Sequence, residues 1–179
     1  MKTILSLVIA ASLSAPASAQ PPAATPAQQA EALYRQGVAA EKAGDPAAAR
    51  QAYSAALAAN PQHANARYNL GQVKIHAAAI TAQGREAKFG AVIIPEFRLD
   101  AASLQEALDA LGVLIERQSK DTVTPNFVIQ DPKQQLAAAK ISLTLKNTPA
   151  KAVLQYLMEQ AGAKARYDEH AIVIAPIPR

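Results

Sequence analysis

From Glu96 onward, apolar positions twice alternate at a spacing of two and then change to helical spacing. Within 91–100, Phe97 and Leu99 alternate with Glu96, Arg98 and Asp100, the pattern of a strand with one covered and one wet face. Ser103 and Glu106 have the spacing of a capping box, and Leu104, Ala107, Leu108, Leu111 and Ile115 follow as one apolar stripe, predicting a helix lying on a sheet. A short apolar run over 125–130 predicts a second strand, with 131–139 as its polar exit. The theme then repeats. Ile141, Leu143 and Leu145 point one way and Ser142, Thr144 and Lys146 the other, and Thr148-Pro149 is expected to act as cap and first residue of a second helix. Val153, Leu154, Leu157 and Ala161 form its buried stripe, and Gly162 ends it. Two apolar runs around the polar 168–170 read as a hairpin. The predicted order over 91–176 is strand, helix, strand, strand, helix, strand, strand. That is a small α+β unit in which two helices cover a mixed sheet.

The amino-terminal half has no strand alternation. Residues 30–82 are alanine-rich and helical in pattern, the polar 83–90 reads as a linker, and the proline- and alanine-rich 20–29 as a tether. The first residues carry one lysine, an apolar stretch from Ile4 to Ala11 and then Ala17-Ser18-Ala19, which predicts a signal peptide over 1–19 and a periplasmic or secreted product. The expected mature chain has no cysteine, so no disulfide supports its fold. Later segments are too short in apolar run to predict a transmembrane span. The formal charge of +4 falls to +3 once Lys2 is removed, with no basic run, which argues against nucleic acid as a partner.

In the helical half, Leu33, Gly37, Ala40, Gly44, Ala49, Tyr53, Ala56 and Pro61 stand at the offsets of large, small and helix-ending positions, and Gly71 follows Gly37 by 34 residues. This stretch resembles a tetratricopeptide repeat: one full unit and the first helix of another. Asp45-Pro46 supplies a cap and a proline at the first position of the second helix. In the second half, Ile141, Leu143, Leu145, Asn147, Pro149, Leu154, Leu157, Gly162, Tyr167, Ile172 and Ile174 carry a second likeness. The stretch 91–176 resembles the short N-terminal domain found ahead of secretin pores and in TonB-dependent transducing receptors. That resemblance implies docking between proteins in the periplasm, with no chemistry performed.

The residues themselves give little reason to expect catalysis. His63, His76 and His170 lack a carboxylate or second histidine at ligand spacing and read as surface residues, and no phosphate cradle, nucleophile elbow or calcium loop is present. Glu106 and Asp109 share a helix face but belong to its wet side. No catalytic residue, metal or cofactor is expected. The sequence instead suggests two binding surfaces. Tyr34, Glu41, Tyr68, Gln72 and His76 would line the inner face of the helical hairpin, and Arg98, Lys140 and Lys146 would guard a sheet edge or order an acidic partner. The expected function is a non-enzymatic adaptor of a secretin- or TonB-type envelope machine; the alternative is a small carrier or chaperone-like protein that holds an extended peptide in the hairpin. With no tryptophan and only eight aromatic residues, a sugar-stacking groove is hard to build.

Overall fold

The structure, a computed structural model, describes residues 24–178; the expected signal peptide lies outside that range. Three helices come first: α1 (Pro26–Lys42), α2 (Pro46–Ala59) and α3 (Ala64–Gly90). They are followed by β1 (Ile93–Ser103), α4 (Leu104–Ser119), β2 (Phe127–Ile129), β3 (Lys140–Pro149), α5 (Ala150–Ala161), β4 (Ala163–Tyr167) and β5 (Ile172–Pro176). The chain is thus a mixed α+β protein with five helices and two small sheets among the described residues.

Two of the expected linkers are helical. α1 begins at Pro26 rather than Ala30, because Thr25 accepts from the Gln28 amide while the Gln28 side chain accepts from the Thr25 amide, a complete capping box with proline at the first position. The expected linker 83–90 is the last part of α3. Gly84, within that stretch, is small because the Gly44 backbone crosses α3 there, and a Cβ on Gly84 would overlap Gly44 Cα. Gly44 itself has φ +76, a left-handed turn conformation that suits glycine. Phe89 then inserts into the carboxy-terminal core, so α3 runs from the helical half into the second half. α3 bends at His76, whose φ of −108 and ψ of 19 lie outside the helical region.

The helical half packs around Tyr53, which is fully buried with Ala49, Ala56, Ala66 and Val73. A Cβ at Gly37 would overlap the Tyr53 ring, so the small residue is required where α1 meets α2. Gly71, one repeat later, has open space around it because no further helix packs there.

In the second half, the strands do not form one mixed sheet. β1 and β3 pair antiparallel, from Ile93 opposite Pro149 to Ser103 opposite Lys140, with a register shift between Leu99 and Ala102. The other sheet has the order β2-β5-β4, with β2 parallel and β4 antiparallel to β5. The pairing of β3 also corrects the expected start of α5. Thr148 and Pro149 stay in the strand opposite Ile94 and Ile93, Thr148 donates to the Lys146 carbonyl, and the helix begins at Ala150 without a side-chain cap. Because β1 leads directly into α4 and β3 directly into α5, the two helices leave an antiparallel pair from opposite ends.

The apolar stripes of both helices meet the two sheets in one core, with Leu104, Leu108, Leu111 and Ile115 from α4, Val153, Leu154 and Leu157 from α5, and Ile94, Phe97, Ile141, Ile172 and Ile174 from the strands. Leu136 fills this core from the 131–139 segment, which is held by Asp131 accepting from the amides of Gln135 and Leu136. Ser103 and Glu106 form the capping box of α4, and Gly162 ends α5 at φ +67.

The two repeat-spaced glycines should respond oppositely to a methyl group. Gly37→Ala forces the Tyr53 ring to move and should cost about 1–3 kcal/mol, as overpacking does. Gly71→Ala meets nothing and should stabilise by about 0.5–1 kcal/mol through helix propensity. Urea unfolding of the two variants measures both signs.

Candidate functional site

An opening of about 810 Å³ lies between the second half of α3, one side of α5 and the whole length of β4. α3 contributes Ala78, Ala79 and Ala82 and then Gln83 and Glu86; α5 contributes Lys151, Leu154, Gln155, Met158 and Glu159. Consecutive residues from Ala163 through Glu169 complete it. A strand seen from one face would contribute only alternate residues, so this groove runs along the free edge of β4. The sheet order agrees, since β4 has β5 on one side only.

What keeps the groove open is the attachment of α3 at its end. The Phe89 ring meets Phe127 edge-on at 6.2 Å and Tyr167 at 5.7 Å. Such pairs add about 0.5–1.5 kcal/mol each beyond burial. Polar ties stand at the rim: Lys151 Nζ to Glu86 Oε1 at 2.6 Å joins α5 to α3, and an Arg85 guanidinium nitrogen donates to the Glu169 carbonyl at 2.9 Å. Exposed ties of this kind contribute only about 0–1 kcal/mol, so the aromatic contact dominates. Arg166 pairs with Asp168 at 2.8 Å on the solvent side of the strand.

Tyr167 belongs to this site in a second way. Its hydroxyl is buried with no hydrogen-bond partner, and burial, reinforced by the Glu86 carboxylate, holds its proton well above the ordinary phenol range. An unpaired hydroxyl here is destabilising by itself.

The eight residues expected to bind a partner are dispersed. Glu41, Gln72 and His76 line a separate opening of about 300 Å³ with Val73, Ala79, Ile80 and Gln83. Tyr34 is not on that surface. Its ring packs 5.7 Å from Tyr53 and 5.0 Å from His63, inside the hairpin. Tyr68 stands 67% exposed on α3, as does Ile75 at 73%, because α3 is followed by β1 and no further helix covers that face. Arg98, Lys140 and Lys146 all face solvent on the β1–β3 pair, opposite Thr144, Ser103 and Glu96 respectively, and none borders the α3–α5 groove.

His63 is not a surface residue. Its side chain is 11% exposed, Nδ1 accepts from the Ala66 amide as the cap of α3, and Nε2 lies 3.4 Å from Glu31. His76 and His170 are exposed. The carboxylates weighed as an acid–base pair are otherwise engaged: Glu106 caps α4, where hydrogen bonds from the Ser103 amide and hydroxyl hold its pKa below the usual carboxylate range, and Asp109 accepts from Gln105. Among the described residues, no group of three histidine or carboxylate side chains is placed to hold a metal, and no helix is long and apolar enough to cross a membrane.

Sequence reasoning missed the α3 wall, since alanines at 78, 79 and 82 look like ordinary helix residues. The available signal was their spacing, which puts Ala78 and Ala82 four residues apart on one face. Comparison with protein-family models, with curated proteins and with solved structures returned no match.

Tyr53 provides a test of the packing beneath the Glu41 surface. Burial, opposed by the hydrogen bond from Asn69 and aided by the nearby Glu41 carboxylate, pushes its phenol up to about 12. The folded chain therefore holds this proton more tightly than the unfolded chain, so its contribution is complete below pH 10 and lost as pH rises toward 12. Urea unfolding at pH 9, 10 and 11 should show a decline that is smaller in Tyr53→Phe.

Proposed function

We propose that this protein is a non-enzymatic, periplasmic protein-binding adaptor of a secretin- or TonB-type envelope machine, and that the α3–α5–β4 groove is where it docks. The observation that carries the docking half of this reading is the groove: about 810 Å³ of surface with an alanine wall, apolar side chains from α5 and an unpaired strand edge. Such an opening takes a segment of another protein, because apolar lining supplies affinity and an open edge supplies backbone hydrogen bonds.

The envelope half rests on the resemblance over 91–176, in which the matching residues fall on successive elements: Ile141, Leu143 and Leu145 on β3, Leu154 and Leu157 on α5, Gly162 at its end, Tyr167 on β4, and Ile172 and Ile174 on β5. The helical half, read as a short tetratricopeptide-like unit, contributes the α3 wall of the groove. This arrangement favours the groove over the hairpin as the docking surface. Tyr34, the aromatic contact expected on the hairpin's inner face, is turned inward, and the opening beside Glu41 is less than half as large.

Immobilised residues 20–179 should retain a secretin- or TonB-type component from an envelope extract of the source cell, identified by mass spectrometry. Ala82→Arg, which fills the groove from α3, should lose that component while keeping the wild-type melting curve. Retention of the same component by Ala82→Arg would move the docking surface elsewhere, and capture of no machine component by the wild-type chain would sink the envelope reading.

A further inference from the structure

The hydrogen-bond parity of β4 defines what its free edge can accept. Asp168 donates to the Ala171 carbonyl and Ile177 to the Gly162 carbonyl, both across the β4–β5 pair. On the other side of β5, Gln130 donates to the Ile174 carbonyl and Ile172 to the Asn126 carbonyl. The even-numbered residues of β5 therefore face β2, its odd-numbered residues face β4, and Lys164 and Arg166 carry the ladder to Ala175 and Val173. Ala165 and Tyr167 consequently turn their amides and carbonyls toward the groove. Among the described residues, no turn, loop or side chain bonds to them there.

Side chains alternate in the other sense. Ala165 and Tyr167 are half-buried on the core side, and Lys164 and Arg166 are exposed. A strand laid beside β4 would thus have one row of positions against the groove walls, where Ala78, Ala82 and Met158 leave room for small apolar side chains, and another row beside Lys164 and Arg166. A second copy is a poor occupant. Antiparallel self-pairing centred on Ala165 would place Lys164 opposite Arg166 of the other copy, and like charges directly opposed are unfavourable. Carboxylates at those positions reverse the sign, meeting Lys164 and sharing Arg166 with its exposed partner Asp168.

We infer that the free edge of β4 takes an extended peptide segment as an added strand, with acidic side chains on its solvent row and small apolar side chains toward the α3–α5 groove. The inference rests on the docking reading above and names the chemistry of the docked segment. The edges of the β1–β3 pair are less suited to this role, and β2 offers only three residues. β1 carries Pro95, which lacks an amide hydrogen, and the Ser142 amide and carbonyl of β3 are already bonded to the Gln160 side chain at 3.1 Å each.

The test uses residues 20–179 labelled with nitrogen-15 and three synthetic nine-residue peptides, alanine and valine at alternate positions and glutamate, glutamine or lysine between them. The glutamate peptide should slow amide exchange at Ala165 and Tyr167 by about tenfold at saturation, leaving Lys164 and Arg166, already in the ladder, unchanged. It should bind roughly tenfold tighter than the lysine peptide, the scale of two cross-strand charge pairs. The double variant Lys164→Glu, Arg166→Glu should invert that order. Ala165→Pro removes an amide hydrogen that points away from β5, and it should abolish binding while far-ultraviolet circular dichroism stays unchanged; if that variant does not fold, the charge-reversed chain decides the matter. Binding without slowed exchange at Ala165 and Tyr167 overturns strand addition, and equal affinity for all three peptides overturns the acidic row. If no peptide binds but the Ala82-dependent capture succeeds, the strand inference is wrong and the docking reading stands; if capture fails as well, both fall.

Discussion

The structure depends on one helix having an end in each of two cores. α3 starts against Tyr53 and Ala56 through Ala66 and Val73, and it finishes with Phe89 among the residues of the α+β core. Between these ends the Gly44–Gly84 crossing brings the α1–α2 turn onto the helix at backbone distance. A side chain larger than hydrogen on either glycine would push the turn away from α3, so the direction of the helical half is set at that crossing. The bend at His76 lies before it, and past the bend α3 turns Ile80 and Gly84 to the hairpin and Ala78, Ala79 and Ala82 to the groove.

This arrangement also compensates for a weak helical core. Among the described residues, Tyr53 is the one large, fully buried side chain of α1 to α3 before Phe89; the other fully buried core residues are alanines and a single valine, and Leu33, Tyr34, Val38, Leu57, Leu70 and Ile80 pack around them only partly buried. Alanine burial contributes little, at about 0.8 kcal/mol per buried carbon group, and without disulfides the hairpin has few other means of holding its shape. Anchoring α3 in the larger core gives the hairpin a fixed partner. The same anchoring produces the groove, because a long helix running on past the hairpin must lie beside α5 and β4 to deliver Phe89.

Local signals were legible in the sequence and distant ones were not. Ser103 with Glu106, the stripe from Leu104 to Ile115, the alternation of Ile141, Leu143 and Leu145, and the glycine that ends α5 all act within one or two turns of chain, and each could be read directly. The separation of the strands into two sheets could not, since β1 and β3 pair across about forty residues and neither strand carries a mark of its partner. Pairing also explains the misplaced start of α5, where a good cap sequence at Thr148 is overridden by strand partners. The polar 83–90 misled for a similar reason: it holds Gly84, and a glycine that permits close approach looks like one in a linker until the crossing backbone is known. Of the site, Tyr167 was singled out by resemblance, but the alanine wall had no chemical signature. Tyr34 and Tyr68 were equivalent by spacing and became different because only the first has a neighbouring helix.

The central claim is that α3 makes one body of the helical half and the α+β half and so preforms the groove. The most direct measurement is the distance distribution between two spin labels, one at Arg50→Cys on α2 and one at Gln105→Cys on α4, by pulsed electron–electron resonance. Both sites are exposed and the chain has no cysteine of its own, so labelling is unambiguous. The account predicts a single narrow distance that broadens when Phe89 is replaced by alanine. A broad or two-peaked distribution in the otherwise unchanged chain would mean that the halves swing independently, and the groove would then be no fixed feature of the protein.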